Sequence, residues 1–241
     1  MILAALLLAF ALAAYALFLK GRLAERFGFA SRGRSALYWF WVAKGAALFM
    51  VPSLIILALL GALDTLRAMP VAFADAASTF GLTPGAAGRD PVFLTTVVGG
   101  LVGGALLGAV IARWRMARAR RPWMLGNLTS VLPARRSELP AACAVAIGAG
   151  VSEELFFRLT VPLLLALLTG SALIGFALSA LLFAAAHRYQ GVTGMAASAA
   201  LAVIFTGFYW MTGSLWMTMA LHALVDLNGL VVRPLVLGIR A

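Results

Sequence analysis

Residues 146–165 read AIGAGVSEELFFRLTVPLLL, an apolar run that contains the adjacent carboxylates Glu153 and Glu154 and the cation Arg158. The chain of 241 residues has only 8 acidic residues, so a quarter of them lie in this dipeptide. Ionisable groups within a membrane helix are costly, and they are usually paired or functional. The run therefore predicts a membrane helix whose charges have a structural or chemical task.

The composition of the chain is that of a membrane protein. Of its residues, 63% are hydrophobic and 11% are charged, and the mean hydropathy is +1.02. A soluble domain has about 25% charged residues, and several apolar runs reach the roughly 20 residues that span a bilayer. The alternating segments of a transmembrane barrel are absent. The sequence therefore predicts an all-α, polytopic membrane helical bundle with about seven transmembrane helices.

Seven apolar runs are separated by polar or glycine-containing turns. They are residues 2–19, 36–63, 92–112, 139–168, 172–187, 195–211 and 215–237. The fourth run is long for one span and contains Pro162, so we expect its helix to be tilted or broken near the two glutamates. The third run has glycines at spacings of three and four, which favours close helix packing. Cys143 is the only cysteine, which excludes an intrachain disulfide and a multi-cysteine metal site.

The net charge of +11 is concentrated in two loops. This distribution is typical of cytoplasmic loops, and it argues against nucleic acid as a partner. Loop 64–90, with three acids against two bases, is predicted to lie outside, together with the N-terminus, whereas the C-terminus is cytoplasmic. We predict an integral protein of a bacterial inner membrane with membrane lipid as a partner, and anionic headgroups could bind the second basic loop. The basic residues are Lys20, Arg22, Arg26, Arg32 and Arg34 in the first loop and Arg113, Arg115, Arg118, Arg120, Arg121, Arg135 and Arg136 in the second.

Strong polar groups recur at helical spacings in the later runs. The candidates are Glu153, Glu154, Arg158, His187, His222 and Asp226, which include both histidines of the chain. Glu154 and Arg158 are four residues apart and share a helix face, which indicates an ion pair. Glu153 is turned by about 100° from Glu154 and faces elsewhere. His222 and Asp226 are also four apart.

This set of side chains suits the cleavage of an acyl bond by water. A carboxylate held away from bulk water can act as a general base, and a histidine can orient the water and pass its proton to a leaving amine. A second histidine, held by a carboxylate, can donate a hydrogen bond to the oxyanion. Structural interpretations remain open for each group. They are a buried ion pair for Glu154 with Arg158, an interfacial side chain for His187, and a helix-packing hydrogen bond for His222 with Asp226.

Three motifs follow one another along these helices, namely Glu153-Glu154-xxx-Arg158, Phe183-xxx-His187 and His222-xxx-Asp226. Together they resemble the CAAX protease and bacteriocin-processing (CPBP) family of intramembrane proteases, which includes the type II CAAX prenyl endopeptidase. The resemblance covers about residues 140–230. It implies that Glu153 is the general base, with His187 as its partner, and that Glu154 and Arg158 support them.

The resemblance also implies that His222 and Asp226 form or orient the oxyanion site. The family often has Asn at the position of Asp226. Because a carboxylate donates a hydrogen bond only when protonated, Asp226 would orient His222 rather than contact the oxyanion. Family members have been called metalloproteases, but the two histidines lack the HExxH spacing of a zinc helix. A mechanism without a cofactor is favoured, and a zinc site of one glutamate and two histidines remains possible.

The activity implied by the resemblance is that of an intramembrane endopeptidase. Its substrate would be a membrane-associated or lipid-modified protein or peptide. The chain would divide into N-terminal membrane helices with basic loops, residues 1–138, and a catalytic helix bundle, residues 139–241. Two other functions remain open, namely a proton-coupled transporter or channel and a non-catalytic protein of the bacteriocin-immunity type. The transporter would use the Glu and His groups as a relay, although no inverted repeat is evident.

The depths of two predicted site residues disagree. Glu153 is about 15 residues into its helix, which places it ~20 Å deep. His187, by contrast, ends a helix near the predicted cytoplasmic face. For the two to meet, we expect a strongly tilted helix or a water-filled cavity that opens to the cytoplasm.

Overall fold

The computed structural model describes residues 1–20, 24, 27–120, 126 and 131–239. Within these ranges the chain forms helices, turns and loops but no β-strand. The predicted all-α fold is therefore confirmed. Three arginines used in the topology prediction lie outside the described ranges, namely Arg22, Arg26 and Arg121.

Each of the seven predicted apolar runs forms a long helix. The main described helices are α1 (Ile2–Leu19), α2 (Arg34–Leu59), α3 (Val71–Ser78), α4 (Pro91–Ala117), α5 (Leu139–Glu154, continued by Leu155–Thr160 and Val161–Thr169), α6 (Ala172–Ala186), α7 (Gly191–Thr212) and α8 (Leu215–Leu237). The second helix ends earlier than predicted, because the chain turns at Gly61 with a φ of 65°. The third predicted helix, α4, extends five residues further, to Ala117.

Five of the described helices are long and apolar enough to cross a membrane, namely α1, α2, α4, α7 with its preceding turn, and α8. Helix α6 is apolar but has 15 residues. Helix α5 is the one that contains the two adjacent glutamates and Arg158. By length and composition, the chain is a polytopic membrane helical bundle. The count of about seven spans stays a prediction.

Two tight hairpins order the last four helices. Gly170 ends α5 and Gly213 ends α7, each in the left-handed conformation that glycine adopts without steric cost. The serine that follows each glycine caps the next helix: Ser171 accepts a hydrogen bond from a backbone N–H of α6, and Ser214 from one of α8. Each pair of helices is therefore antiparallel, with its register set by the turn.

Helix α5 is continuous, but it widens directly after the two glutamates. Residues Leu155–Thr160 form a π-helical segment. The next π-type hydrogen bond to the Phe157 carbonyl would need the N–H of Pro162, which proline lacks. Ser179 of α6 replaces it, since its hydroxyl donates to the Phe157 oxygen at 2.6 Å. In place of the expected tilt or break, the helix widens locally after the glutamates. The side chain of Ser179 satisfies the carbonyl that this widening leaves without a partner.

Two elements outside the candidate site have contacts that the sequence did not define. Helix α3, in the loop predicted to lie outside, is partly buried, and Phe73 is fully enclosed against Phe176 and Tyr209. The glycines of α4 have open space beside them in the described chain. A Cβ atom at Gly99, Gly100, Gly103, Gly104 or Gly108 would meet nothing within 4 Å.

Candidate active site

Helices α5, α6 and α8 supply the six candidate residues. Glu153, Glu154 and Arg158 lie on α5, His187 directly follows α6, and His222 and Asp226 lie on α8. Helices α5 and α8 approach closely at Gly150, where a Cβ atom would be 2.8 Å from backbone atoms of α8. Sequence reasoning missed this glycine, although a small residue one turn before the glutamates is a signal for close helix packing.

Glu154 uses one carboxylate oxygen to link α5 to α8 and the other to form a pair within α5. His222 Nδ1 donates a hydrogen bond to Glu154 Oε1 at 2.6 Å, and Arg158 Nε lies 3.1 Å from Glu154 Oε2. Glu154 is fully buried and Arg158 is 1% exposed. The ion pair indicated by the four-residue spacing is present, whereas the contact with His222, 68 residues away, was not predicted.

Arg158 is held between charge and aromatic faces. Its guanidinium carbon lies 4.3 Å from the ring centroid of Phe183 and 5.3 Å from that of Phe205. Within the described part of the chain, its N–H groups form no directed hydrogen bond. The stabilisation therefore comes from the Glu154 charge and from cation–π contact. Sequence reasoning missed Phe205, because nothing in its local pattern distinguishes it from other apolar residues of α7.

His222 has a carboxylate beside each ring nitrogen. Nδ1 contacts Glu154, and Nε2 lies 3.6 Å from Asp226 Oδ2. The ring stacks on Phe205 with centroids 4.8 Å apart. The histidine is thus fixed in orientation by two acids and one aromatic ring, and it is 4% exposed.

His187 has one nitrogen committed to the backbone. Its Nδ1 lies 2.8 Å from the Phe183 carbonyl oxygen. A carbonyl can only accept a hydrogen bond, so Nδ1 is the donor and Nε2 is left to accept or exchange a proton. The side chain is partly exposed, which makes this nitrogen accessible.

Glu153 is the carboxylate of this cluster that contacts no cation in the described structure. Its Oε2 is buried without a hydrogen-bond partner, although the residue as a whole is partly exposed. Electrostatic interactions connect it to His187, His222 and Asp226. Glu153 also interacts electrostatically with Glu154 and Arg158, so it lies near the other candidates without forming an ion pair with any of them.

The α5–α6 hairpin explains how Glu153 and His187 lie at one level. Glu153 precedes the turn residue Gly170 by 17 positions, and His187 follows it by 17. In an antiparallel hairpin such positions lie at similar distances from the turn. The expected tilt or water-filled cavity stays a prediction.

Tyr189 is a further polar residue at the site that sequence reasoning missed. Its ring centroid is 6.0 Å from that of His187. The sequence signal was its position two residues after His187 in a turn.

A metal centre needs several donor side chains that converge on one point. Among the described residues, no group of three or more His, Cys, Asp or Glu side chains could hold a metal ion. His222 has Glu154 beside one ring nitrogen and Asp226 beside the other. The expectation of a mechanism without a cofactor stays a prediction.

Comparison with known families identifies the segment that holds the site. Residues 135–228 match a family model described as type II CAAX prenyl endopeptidase Rce1-like. The match runs from just before α5 into α8, so it contains all six candidate residues and Tyr189. Neither a curated protein nor a solved structure matches the chain.

Proposed function

We propose that this chain is an intramembrane endopeptidase of the CAAX protease family whose general base is Glu153, because residues 135–228 match the model of that family. Its substrate is a membrane-associated or lipid-modified protein or peptide. The observation that carries the proposal is the difference in contacts between two adjacent glutamates. Glu154 is neutralised by Arg158 and His222, whereas Glu153 contacts no cation among the described residues.

The reaction begins with a water molecule between Glu153 and His187. Glu153 takes one proton from the water while the water oxygen attacks the carbonyl carbon of the scissile peptide. His187 orients the water through Nε2, because its Nδ1–H is committed to the Phe183 carbonyl. The products of this step are a protonated Glu153 and a tetrahedral intermediate with an oxyanion.

The intermediate collapses when the carbon–nitrogen bond breaks. The proton on Glu153 passes to the leaving amine, directly or through His187 Nε2, and the carboxylate is restored. One water molecule is consumed, and one acid and one amine are released. No step is routed through a metal.

The remaining candidates hold this arrangement in place. Glu154 joins α5 to α8 through a hydrogen bond from His222, and Asp226 Oδ2 lies 3.6 Å from the second nitrogen of that ring. Buried charges in a low-dielectric site need such partners. The geometry therefore best supports a positioning role for His222 and Asp226. Gly150 allows α5 and α8 to come close together.

The location and topology belong to the same proposal. The chain is an integral protein of a bacterial inner membrane, with its N-terminus outside and its C-terminus and two basic loops in the cytoplasm. Residues 139–241 form the catalytic bundle, and residues 1–138 supply further membrane helices. Helix α2 packs on α5, which supports one integral unit.

The proposal is tested by cleavage in proteoliposomes. A library of S-prenylated, N-acylated and unmodified peptides is incubated with the reconstituted chain, and new termini are read by mass spectrometry. Replacing Glu153 by Gln and His187 by Ala should each lower cleavage by at least ~10²-fold, since general acid–base groups contribute about that much or more. Glu138→Gln is the matched control, because Glu138 precedes α5 and lies outside the cluster.

Two results would contradict the proposal. One is a wild-type chain that cuts no peptide faster than Glu153→Gln does. The other is full cleavage by Glu153→Gln or by His187→Ala. Ion flux through the same liposomes, lost in Glu153→Gln, would instead support the transporter alternative.

A further inference from the structure

A cavity of about 210 Å³ lies between helices α4 and α8. Its wall on α4 extends from Gly104 to Ala112, and its wall on α8 extends from Asn228 to Val236. Each wall covers about two helical turns, or roughly 12 Å. An apolar cavity of about 150 Å³ can hold benzene, so this cavity has room for part of a larger apolar molecule. None of the six candidate residues of the active site lines it.

The cavity opens to the outside of the bundle. Gly104 and Gly108 are exposed, and 41% of Val232 is exposed. A Cβ atom at either glycine would meet nothing within 4 Å. Both helices are long and apolar enough to cross a membrane, so the medium at this opening is the acyl chains of lipids. A lipid chain can therefore enter the cavity from the side.

Arg233 is the ionisable residue among the described residues that line the cavity. Its Nε atom is buried without a hydrogen-bond partner, and no ion pair of the described chain includes its guanidinium. Part of the charge is therefore desolvated, and a charge in such a place needs a partner. The residue as a whole is partly exposed, so an anion can reach the rest of the guanidinium.

The level of Arg233 in the membrane is that of a lipid phosphate. It precedes Leu237, the last residue of α8, by one helical turn, so it lies about 6 Å from the helix end. The predicted topology places this end at the cytoplasmic face. Basic pockets between membrane helices on that face bind anionic lipid headgroups. A molecule with an anionic head and an apolar tail would therefore pair with Arg233 and fill the cavity beside it.

A second copy of the chain would not supply the missing charge. A symmetric dimer brings the same surface of each copy together. No Asp or Glu occurs in residues 91–137, so α4 contributes no acid to such a contact. On α8, Asp226 already lies beside His222. The charge of Arg233 therefore favours an anionic lipid over a second copy.

We infer that the cavity between α4 and α8 binds one anionic phospholipid, whose phosphate pairs with Arg233 and whose acyl chain lies against Gly104 and Gly108. The lipid fills space that side chains would occupy if these two positions were not glycine. The site lies within the bundle, so it differs from the binding of headgroups to the exposed basic loops. It does not depend on the proposed peptidase activity.

The test measures lipid binding by the purified full chain in detergent. A fluorescent phosphatidylglycerol, which has one negative charge, is titrated at about 0.5 M salt, where exposed charges are largely screened. Unlabelled phosphatidylglycerol, phosphatidylcholine and inorganic phosphate serve as competitors. We expect one site per chain, from which phosphatidylglycerol displaces the probe at lower concentrations than either of the other two competitors does.

Two matched pairs of variants locate the site. Arg233→Gln should raise the dissociation constant of phosphatidylglycerol by about tenfold or more, since a hydrogen bond to a charged group contributes about that factor. Arg113→Gln removes the same charge from an exposed residue of α4 that does not line the cavity, and it should retain the wild-type value. Gly108→Leu fills the cavity and should lose the site. Gly103→Leu is its control, because Gly103 is equally open but does not line the cavity.

Several outcomes would overturn the inference. One is an Arg233→Gln or a Gly108→Leu variant that is folded and keeps the wild-type dissociation constant. Another is displacement of the probe by phosphatidylcholine or inorganic phosphate as readily as by phosphatidylglycerol. A dimer that Gly108→Leu dissociates, without preferential binding of phosphatidylglycerol, would assign the cavity to a second copy. The unfolding temperature in detergent checks each variant, and either pair decides the question if a member of the other pair does not fold.

Discussion

Replacing Glu154 by Gln should destabilise the fold severely, because it removes the carboxylate that pairs directly with the buried Arg158. The two side chains are 0% and 1% exposed, and Arg158 Nε lies 3.1 Å from Glu154 Oε2. At an effective dielectric constant of about 20, two unit charges at this distance attract by about 5 kcal/mol. Removing one member of a buried pair costs roughly 3–5 kcal/mol, since the remaining charge stays desolvated. The same substitution weakens the hydrogen bond from His222.

The free energy of unfolding is measured by denaturant titration in detergent micelles and compared among three variants. Glu154→Gln should lose about 3–5 kcal/mol. The double variant Glu154→Gln with Arg158→Met should recover much of that loss, because no buried charge is left unpaired. Glu138→Gln is the matched control: Glu138 lies 3.8 Å from a partly exposed Arg34, and such pairs contribute at most about 1 kcal/mol. A Glu154→Gln variant as stable as Glu138→Gln would refute the reasoning.

Two substitutions test how α5 is held by its neighbours. Gly150→Ala should cost about 1–3 kcal/mol and lower cleavage, because a Cβ atom there would be 2.8 Å from the α8 backbone. Gly207→Ala is its control, since nothing lies within 4 Å of the added atom, and equal unfolding free energies would contradict the prediction. Ser179→Ala should cost about 1–3 kcal/mol, because it leaves a buried carbonyl of the π-helical segment without a partner. Ser78→Ala, which removes an exposed hydrogen bond on α3, should cost well under 1 kcal/mol, and thermal unfolding distinguishes the two.

Much of the fold could be predicted because its causes are local. Apolar runs of about 20 residues must be helical in a membrane, since every backbone polar group needs a partner within the segment. The ion pair of Glu154 with Arg158 follows from helical spacing alone. The similar distances of Glu153 and His187 from the hairpin turn could also be predicted, because each residue is 17 positions from Gly170.

Other features required contacts between distant segments. The widening of α5 was not evident from Pro162 alone, since Ser179 on α6 supplies the missing donor. The glycines of α4 were expected to favour close packing, yet nothing in the described chain lies within 4 Å of a Cβ atom added to them. Small residues permit close approach, but they do not specify which surface comes near.

The sequence by itself determined the all-α membrane class, the seven helical runs and the residue types that can carry the proposed hydrolysis. These features could be predicted because hydropathy and the helical period act over a few residues. Only the tertiary structure decided how the two glutamates differ. Glu154 is committed to Arg158 and to His222, 68 positions away, while Glu153 contacts no cation among the described residues. That difference depends on which helices pack against α5, and no local pattern encodes it.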